Sequence, residues 1–328
     1  MVEPLLIIFI AIALLFDFLN GFHDSANVVA TTIASSAMSP RVALSISALT
    51  NFIGPFLFGV AVATTIGTEV VSEEAVTVPT AMAALLSAII WNLITWWFGI
   101  PSSSSHALIG GFVGAALIGF GISAIQIDGL TKVLLALFLS PILGFIFGYI
   151  ILAFILWIGR RFSPRVNEVF RKGQWLTTIT LGLSHGTNDA QKTMGIMTFG
   201  LVAFGVLSEF EVPTWVIAAS AGAIALGTAF GGWRLIKTMG AGFYRIRAVH
   251  AFSSQVAGTA VILGAAIMGG PVSTTQVISS SIVGAGSAER VNMVRWGLAG
   301  QIAMAWIVTI PATVLLGGLF YLLLVNIL

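Results

Sequence analysis

"NGFHDSAN", residues Asn20–Asn27, interrupts one of the most apolar stretches of the chain: "PLLIIFIAIALLFDFL" precedes it and "VVATTIASSAM" follows. The pattern returns once, as "HGTNDAQK" at 185–192, which sets Gly186 over Gly21 and Asp189 over Asp24. Further along, "PSSSSH" at 101–106 is matched by "PVSTTQ" at 271–276, with Pro101 over Pro271 and the hydroxyl residues aligned. Two motifs recur in the same order at offsets of 165 and 170 residues. That is an internal duplication, and it decides how the rest of the chain is read.

The 328 residues are 58% apolar and 8% charged, against about 45–50% and about 25% in soluble domains. Several apolar runs reach the ~20 residues that cross the hydrocarbon of a bilayer. The short alternating segments of a β-barrel are absent, so the composition indicates an all-α integral membrane protein. The first apolar run lacks a basic leader and passes straight into the polar cluster, which marks a membrane helix rather than a signal peptide. There is no cysteine, which excludes disulfides, thiolate catalysis and cysteine-bound metal.

Nine of the fourteen Lys and Arg residues fall in two links, Arg160–Lys172 and Arg234–His250, whereas Glu69, Glu73, Glu74, Glu209 and Glu211 gather in two others. The positive-inside rule puts the basic links in the cytoplasm, and the alternating acidic links then lie outside. One copy crosses through 4–38 and returns through 42–66. The other starts from the basic link, crosses through 174–207 and meets the acidic link at Glu209. The copies therefore begin on opposite faces, with a single crossing at 130–158 between them. Two inverted-topology repeats follow, an architecture characteristic of secondary transporters. The expected division is 1–128 for the first repeat, 129–172 for a connecting helix and basic link, 173–290 for the second repeat, and 291–328 for a C-terminal transmembrane helix. Both termini are expected outside, in a multi-pass protein of the cell's inner (plasma) membrane.

In 79–124 and in 250–288 an apolar helix stops at the Pro-hydroxyl run and another resumes. Each is read as a re-entrant helical hairpin entering the membrane part-way, with irregular backbone tolerated at that depth where protein or water satisfies it; the alternative is two full crossings with an ordinary loop. Ser or Thr at such a tip caps a helix amino terminus, where free N–H groups and the helix dipole favour an anion. Ser103, Ser104, Ser105, Ser273, Thr274 and Thr275 add hydroxyls that can donate to a tetrahedral oxyanion. The competing structural reading is that small hydroxyl residues only let helices pack closely; matched runs behind matched prolines favour a site.

Asp24 and Asp189 are the second feature. A carboxylate at mid-membrane costs at least ~2.5 kcal/mol on insertion scales and needs a partner. Asp24 with Asn20 and Asn27, and Asp189 with Asn188, offer the oxygen ligands that suit hard cations. The expectation is broken helices, with unwound carbonyls joining the ligand set. The alternative is a buried network in which Asp189 pairs with Lys192, which has Asn27 as its counterpart in the first copy. His23, His106 and His185 neighbour the motifs, as proton carriers or neutral hydrogen-bonding partners. Trp157, Trp175, Trp215, Trp233 and Trp296 read as interfacial anchors, and the Gly110–Gly114 spacing as helix packing.

"NGFHDSAN", "SHGTNDAQKTMG", "PSSSSHALIGG" and "PVSTTQ" closely resemble the signatures of the inorganic phosphate transporter (PiT) family, over nearly the whole chain and in order. The resemblance implies uptake of inorganic phosphate driven by a sodium or proton gradient, by a homodimer, with no covalent cofactor and no nucleic acid partner. It places cation and phosphate contacts on the Asp24 and Asp189 signatures and phosphate on the Ser and Thr tips. The short central link, where some members carry a large insert, gives no basis for a regulatory domain.

The residues themselves indicate an anion symporter; only the resemblance specifies phosphate, and sulfate is the alternative anion. The absence of a carboxylate-rich proton relay favours sodium over protons. Asp24, Asp189 and Lys192 sum to −1, and a monovalent phosphate brings −2, so about two monovalent cations neutralise a loaded, dry site. Asp17, two turns before Asp24, stands outside that count. A passive anion channel would differ in needing no cation gradient. An intramembrane hydrolase fits poorly, because Ser105 and His106 are chain neighbours and triad geometry rarely arises between neighbours. The chain is not read as an enzyme.

Overall fold

The computed structural model describes residues 4–160, 163 and 165–328. Arg161, Phe162 and Pro164 of the first basic link, and residues 1–3 of the first expected unit, lie outside the described residues. Twelve α-helices follow in chain order: α1 Pro4–Ala34, α2 Pro40–Leu57, α3 Ala61–Thr68, α4 Val78–Phe98, α5 Ser104–Phe120, α6 Ile127–Gly159, α7 Val166–Ala203, α8 Thr214–Phe230, α9 Trp233–Ala241, α10 Ala248–Ile267, α11 Thr274–Glu289 and α12 Trp296–Val325. The described residues hold no strand beyond one isolated bridge, Val71–Ile125. Among the described residues, five helices are long and apolar enough to cross a membrane, and up to seven spans result if each of two bent pairs counts as one.

The expected spans 4–38 and 130–158 coincide with α1 and α6, both long and apolar enough to cross; 174–207 falls on α7, which begins at Val166, inside what reads as a polar link, and is not among the five helices apolar enough to cross. The second basic link is helical too, over α9.

The helix breaks are not where the polar motifs suggest. α1 runs 31 residues and α7 38 residues with no interruption at 20–27 or 185–192. The reason is that the motif side chains bond to other helices, so the backbone keeps its own ladder, and its carbonyls are not freed as ligands. The breaks fall instead between α2 and α3, bent by 73°, and between α8 and α9, bent by 70°. Gly59 and Gly231 stand at these bends with φ of +77° and +72°, a conformation that costs side-chain-bearing residues ~1–2 kcal/mol.

The bent segments cover the hairpin tips. α3, from the first copy, lies against the α10–α11 tip, where a Cβ on Gly269 would meet Thr65 Oγ1 at 3.1 Å. α9, from the second copy, lies against the α4–α5 tip, with Thr238 Oγ1 donating to Gly99 O at 3.2 Å and the Arg234 guanidinium over the rings of Trp96 and Trp97. The long arms α4 and α10 have 21 and 20 residues, or ~30 Å of helix each.

Two apolar clusters flank the polar centre. One gathers Phe9, Phe16, Phe112 and Phe199; the other gathers Val28, Leu181, Phe243 and Ile278. Along α1 the polar motif lies between Phe16 and Val28, and along α7 its counterpart lies between Leu181 and Met194, so the two apolar layers enclose it from both ends. α6 and α12 turn Leu135, Phe138, Ile142, Ile307 and Leu315 outward. The five tryptophans read as anchors are all well exposed. Gly110 and Gly114 pack on α12, where a Cβ would meet Thr313 Oγ1 at 2.1 Å and Val314 O at 2.0 Å.

Candidate functional site

Each hairpin tip is capped as its sequence dictates. Ser103 and Ser273 are the N-caps of α5 and α11, and their Oγ atoms accept from His106 N at 3.1 Å and Gln276 N at 3.3 Å. Proline has no N–H to donate and disfavours helical geometry in the residue before it, so Ile100 and Gly270 stand outside both flanking helices. A cap satisfies one of the first four amides of a helix and leaves its neighbours free to meet a ligand. The two tips touch: Ser105 Oγ donates to Val272 O at 2.9 Å, and Gln276 Nε2 lies 3.4 Å from His106 Nδ1.

The carboxylates come to these tips in matched fashion. Ser104 Oγ donates to Asp24 Oδ2 at 3.1 Å, and Thr274 Oγ1 donates to Asp189 Oδ2 at 3.0 Å. Thr275 Oγ1 crosses the divide, donating to Asp24 Oδ1 at 3.0 Å, and Asn27 Nδ2 donates to the Thr274 and Thr275 hydroxyls at 3.2 and 3.0 Å. His23 Nδ1 lies 2.7 Å from Asp24 Oδ1. Lys192 Nζ donates to Asp189 Oδ1 at 2.5 Å, and His185 Nε2 is 3.2 Å from Asp189 Oδ2 without the alignment of a hydrogen bond. Asp24, His185 and Asp189 each offer a ligand atom within 4.8 Å of the others. All are buried, Lys192 at 1% exposure included.

Of the residues singled out in the sequence, Asp24, Asp189, Lys192, Asn27, Ser104, Thr274 and Thr275 converge. Ser103 and Ser273 are occupied as caps, and Ser105 binds the opposite tip. Asn188 Nδ2 reaches Gly270 O at 3.3 Å. Asn20 is buried with neither amide atom bonded. The Asp189–Lys192 pair, considered above as an alternative, is present.

Other residues of the centre do not stand out in the chain. Asn51 of α2 has its Oδ1 3.3 Å from His185 Nδ1 and donates through Nδ2 to Thr228 Oγ1 at 2.8 Å. A lone amide inside an apolar helix is the only sign of it. Toward the basic end, Gln255 Nε2 donates to the Thr31 and Thr32 hydroxyls at 3.0 and 2.5 Å, and Thr32 and Thr178 hydroxyls meet at 2.8 Å. This layer ties α1, α7 and α10 together beneath the centre.

The arrangement suits ions rather than bond cleavage. Ser103 and His106 are in contact at 2.6 Å, but that serine is a helix cap and no partner orients the far ring nitrogen, so nucleophile, base and orienter are not assembled. Paired carboxylates beside hydroxyl-bearing helix amino termini can hold a hard cation and an oxyanion side by side.

Fold and site together define a helical membrane transporter for small ions. The model of the phosphate transporter family matches residues 20–317, and the chain belongs to that family. It is 46% identical over 320 residues to the "Probable low-affinity inorganic phosphate transporter" of Rhizobium meliloti, covering 97% of this chain and 96% of that protein. The protein of the same name from Bacillus subtilis is 44% identical over 324 residues, covering 98% and 97%. Among solved structures, "The sodium-dependent phosphate transporter" shares the fold with a TM-score of 0.90 at 23% identity, over 99% of this chain and all of that one.

Proposed function

We propose that this chain imports inorganic phosphate by sodium symport, with alternating access about the Asp24–Asp189 centre. The observation that carries the reading is the matched pair of bonds, Ser104 to Asp24 and Thr274 to Asp189, which joins the anion-suited tips to the cation-suited carboxylates. Sodium on Asp24 and Asp189, with Asn27, Asn188 and Asn20 as further oxygen donors, takes over the carboxylate charge. The hydroxyl protons of Ser104, Thr274 and Thr275 are then released toward an oxyanion held at Ser103–Ser105 and Ser273–Thr275 with Lys192. Each ion thereby makes the site for the other, which is coupling in its simplest form.

Phosphate rather than sulfate follows from donor chemistry. Phosphate near neutral pH keeps an O–H that can donate to a buried carboxylate, whereas sulfate offers only acceptors and would leave two acceptors facing each other. Sodium is favoured over protons by the oxygen-rich ligand set and by the sodium-dependent protein of the same fold.

The matched tips, the paired 73° and 70° bends and the reciprocal cover of α3 and α9 support two inverted repeats with re-entrant hairpins. By the positive-inside rule the basic links face the cytoplasm and both termini lie outside, in the plasma membrane. Assembly as a homodimer is part of this reading, on family resemblance.

Radiolabelled phosphate uptake into proteoliposomes tests it, with an inward sodium gradient against a potassium control and sulfate as competitor. Sodium-dependent accumulation blind to sulfate is the expected result. Accumulation under a proton gradient alone reassigns the coupling ion, and equilibration with neither gradient makes the protein a channel.

A further inference from the structure

Asp17 is a carboxylate the centre does not use. It lies seven residues before Asp24 on α1, about 10 Å along the helix, toward the acidic-link end. It is fully buried where α1, α7 and α8 pack on one another. The Thr193 hydroxyl of α7 and the Ser220 hydroxyl of α8 face its carboxyl. Among the described residues, these two hydroxyls stand close enough to act on the carboxyl, yet neither they nor the Asp17 oxygens reach hydrogen-bond geometry with any partner. Asn20, one turn along the same face of α1, is likewise buried with both amide atoms unbonded. Four converging oxygens held short of hydrogen-bond geometry, in a layer otherwise built from Phe16, Met194 and Ile196, are costly unless an ion completes them.

We propose that Asp17, Thr193 and Ser220 form a further monovalent-cation site, distinct from the Asp24–Asp189 centre, and that it binds sodium. Carboxylate and hydroxyl oxygens are hard ligands and suit a hard cation. One carboxylate among neutral hydroxyls is balanced by a single positive charge; a divalent ion would leave a surplus charge in an apolar layer. The nearest ammonium, Lys192, is already neutralised by Asp189 at 2.5 Å. The site has no twin. The matching position in the second copy is Gly182, where a Cβ would meet Thr50 Oγ1 at 2.0 Å, so the space a carboxylate would need is filled. Resting on the sodium-coupled reading above, the inference adds one cation to the two required by the centre, giving three per monovalent phosphate.

Sodium-22 binding to the purified full-length protein, by scintillation proximity without phosphate and against a choline background, tests it. Asp17→Asn is expected to bind one sodium fewer per chain, and to lower the sodium-to-phosphate ratio measured in proteoliposomes from three to two. Ser220→Ala and Thr193→Val keep the carboxylate and are expected to raise the half-saturating sodium of one site about tenfold, the equivalent of ~1.4 kcal/mol for a lost ligand. Should Asp17→Asn be unstable, these two variants decide. Unchanged sodium counts and affinities in all three variants, with uptake still sodium-driven, overturn this site and leave the proposed function standing. A wild-type protein that neither binds sodium nor uses it overturns both.

Discussion

The Asp24 and Asp189 side chains, 165 residues apart in the chain, bring ligand oxygens within 4.8 Å of one another. Their surroundings differ. Asp189 is paired with Lys192, whereas Asp24 is held by His23, Ser104 and Thr275. Two equivalent residues of a duplication have thus acquired different electrostatic settings, and their variants should separate.

Asp189→Asn leaves the Lys192 ammonium buried without its counter-charge, a loss of about 3–5 kcal/mol. Asp24→Asn removes a charge that has no cationic lysine or arginine beside it. Both are expected to abolish phosphate accumulation. Only Asp189→Asn should markedly lower the unfolding temperature of the purified protein, and Asp189→Asn combined with Lys192→Met should recover it. Equal destabilisation by the two single variants would contradict this assignment.

Thr275→Val removes the one hydroxyl that links the second tip to the first copy's carboxylate. A hydrogen bond to a charged group contributes about 1.5–3 kcal/mol, so half-saturating phosphate should rise about 10- to 100-fold at fixed sodium. Ser104→Ala should behave alike, and Thr64→Val, an exposed hydroxyl bonded only to its own helix, should leave uptake kinetics unchanged.

Close helix contact gives the shared glycines a different test. A Cβ on Gly21 would stand 2.1 Å from Ile224 O, and on Gly186 2.4 Å from Asn51 O, both main-chain atoms that cannot step aside. Gly21→Ala and Gly186→Ala should destabilise by about 1–3 kcal/mol as overpacked positions and reduce the yield of monodisperse protein. Gly222→Ala, with nothing within 4 Å, should be neutral in the same assay.

At the periphery the expectation is the reverse. Lys132 and Glu69 pair at 2.9 Å, but both reach solvent, at 44% and 38% exposure, and such pairs contribute about 0–1 kcal/mol. Lys132→Ala should leave uptake intact and shift thermal stability very little.

The membrane class and the two pairs of motifs are legible along the chain, because apolar run length and residue type are local properties. The caps at Ser103 and Ser273 were legible for the same reason: proline and hydroxyl residues dictate a helix start without reference to distant neighbours. The helix breaks are not legible. Polar residues within an apolar run suggest an unwound segment, yet Asn27 and Asp24 found partners on α11 and α5, and α1 stayed whole. The bends fall at Gly59, which has no ionisable neighbour to mark it, and at Gly231, just before the basic link, whose charges read as a loop rather than as a bend inside the membrane.

Residue types and their repetition therefore settle which groups the protein possesses and that they come in two sets. Which hydroxyl faces which carboxylate, that Ser105 turns to the other tip while Thr275 reaches Asp24, and that α3 and α9 each cover the other copy's hairpin belong to the tertiary structure alone. Those relations depend on hydrogen-bond geometry between residues 80 to 251 positions apart. Such distances are set by close helix packing, which no pattern of neighbours along the chain encodes.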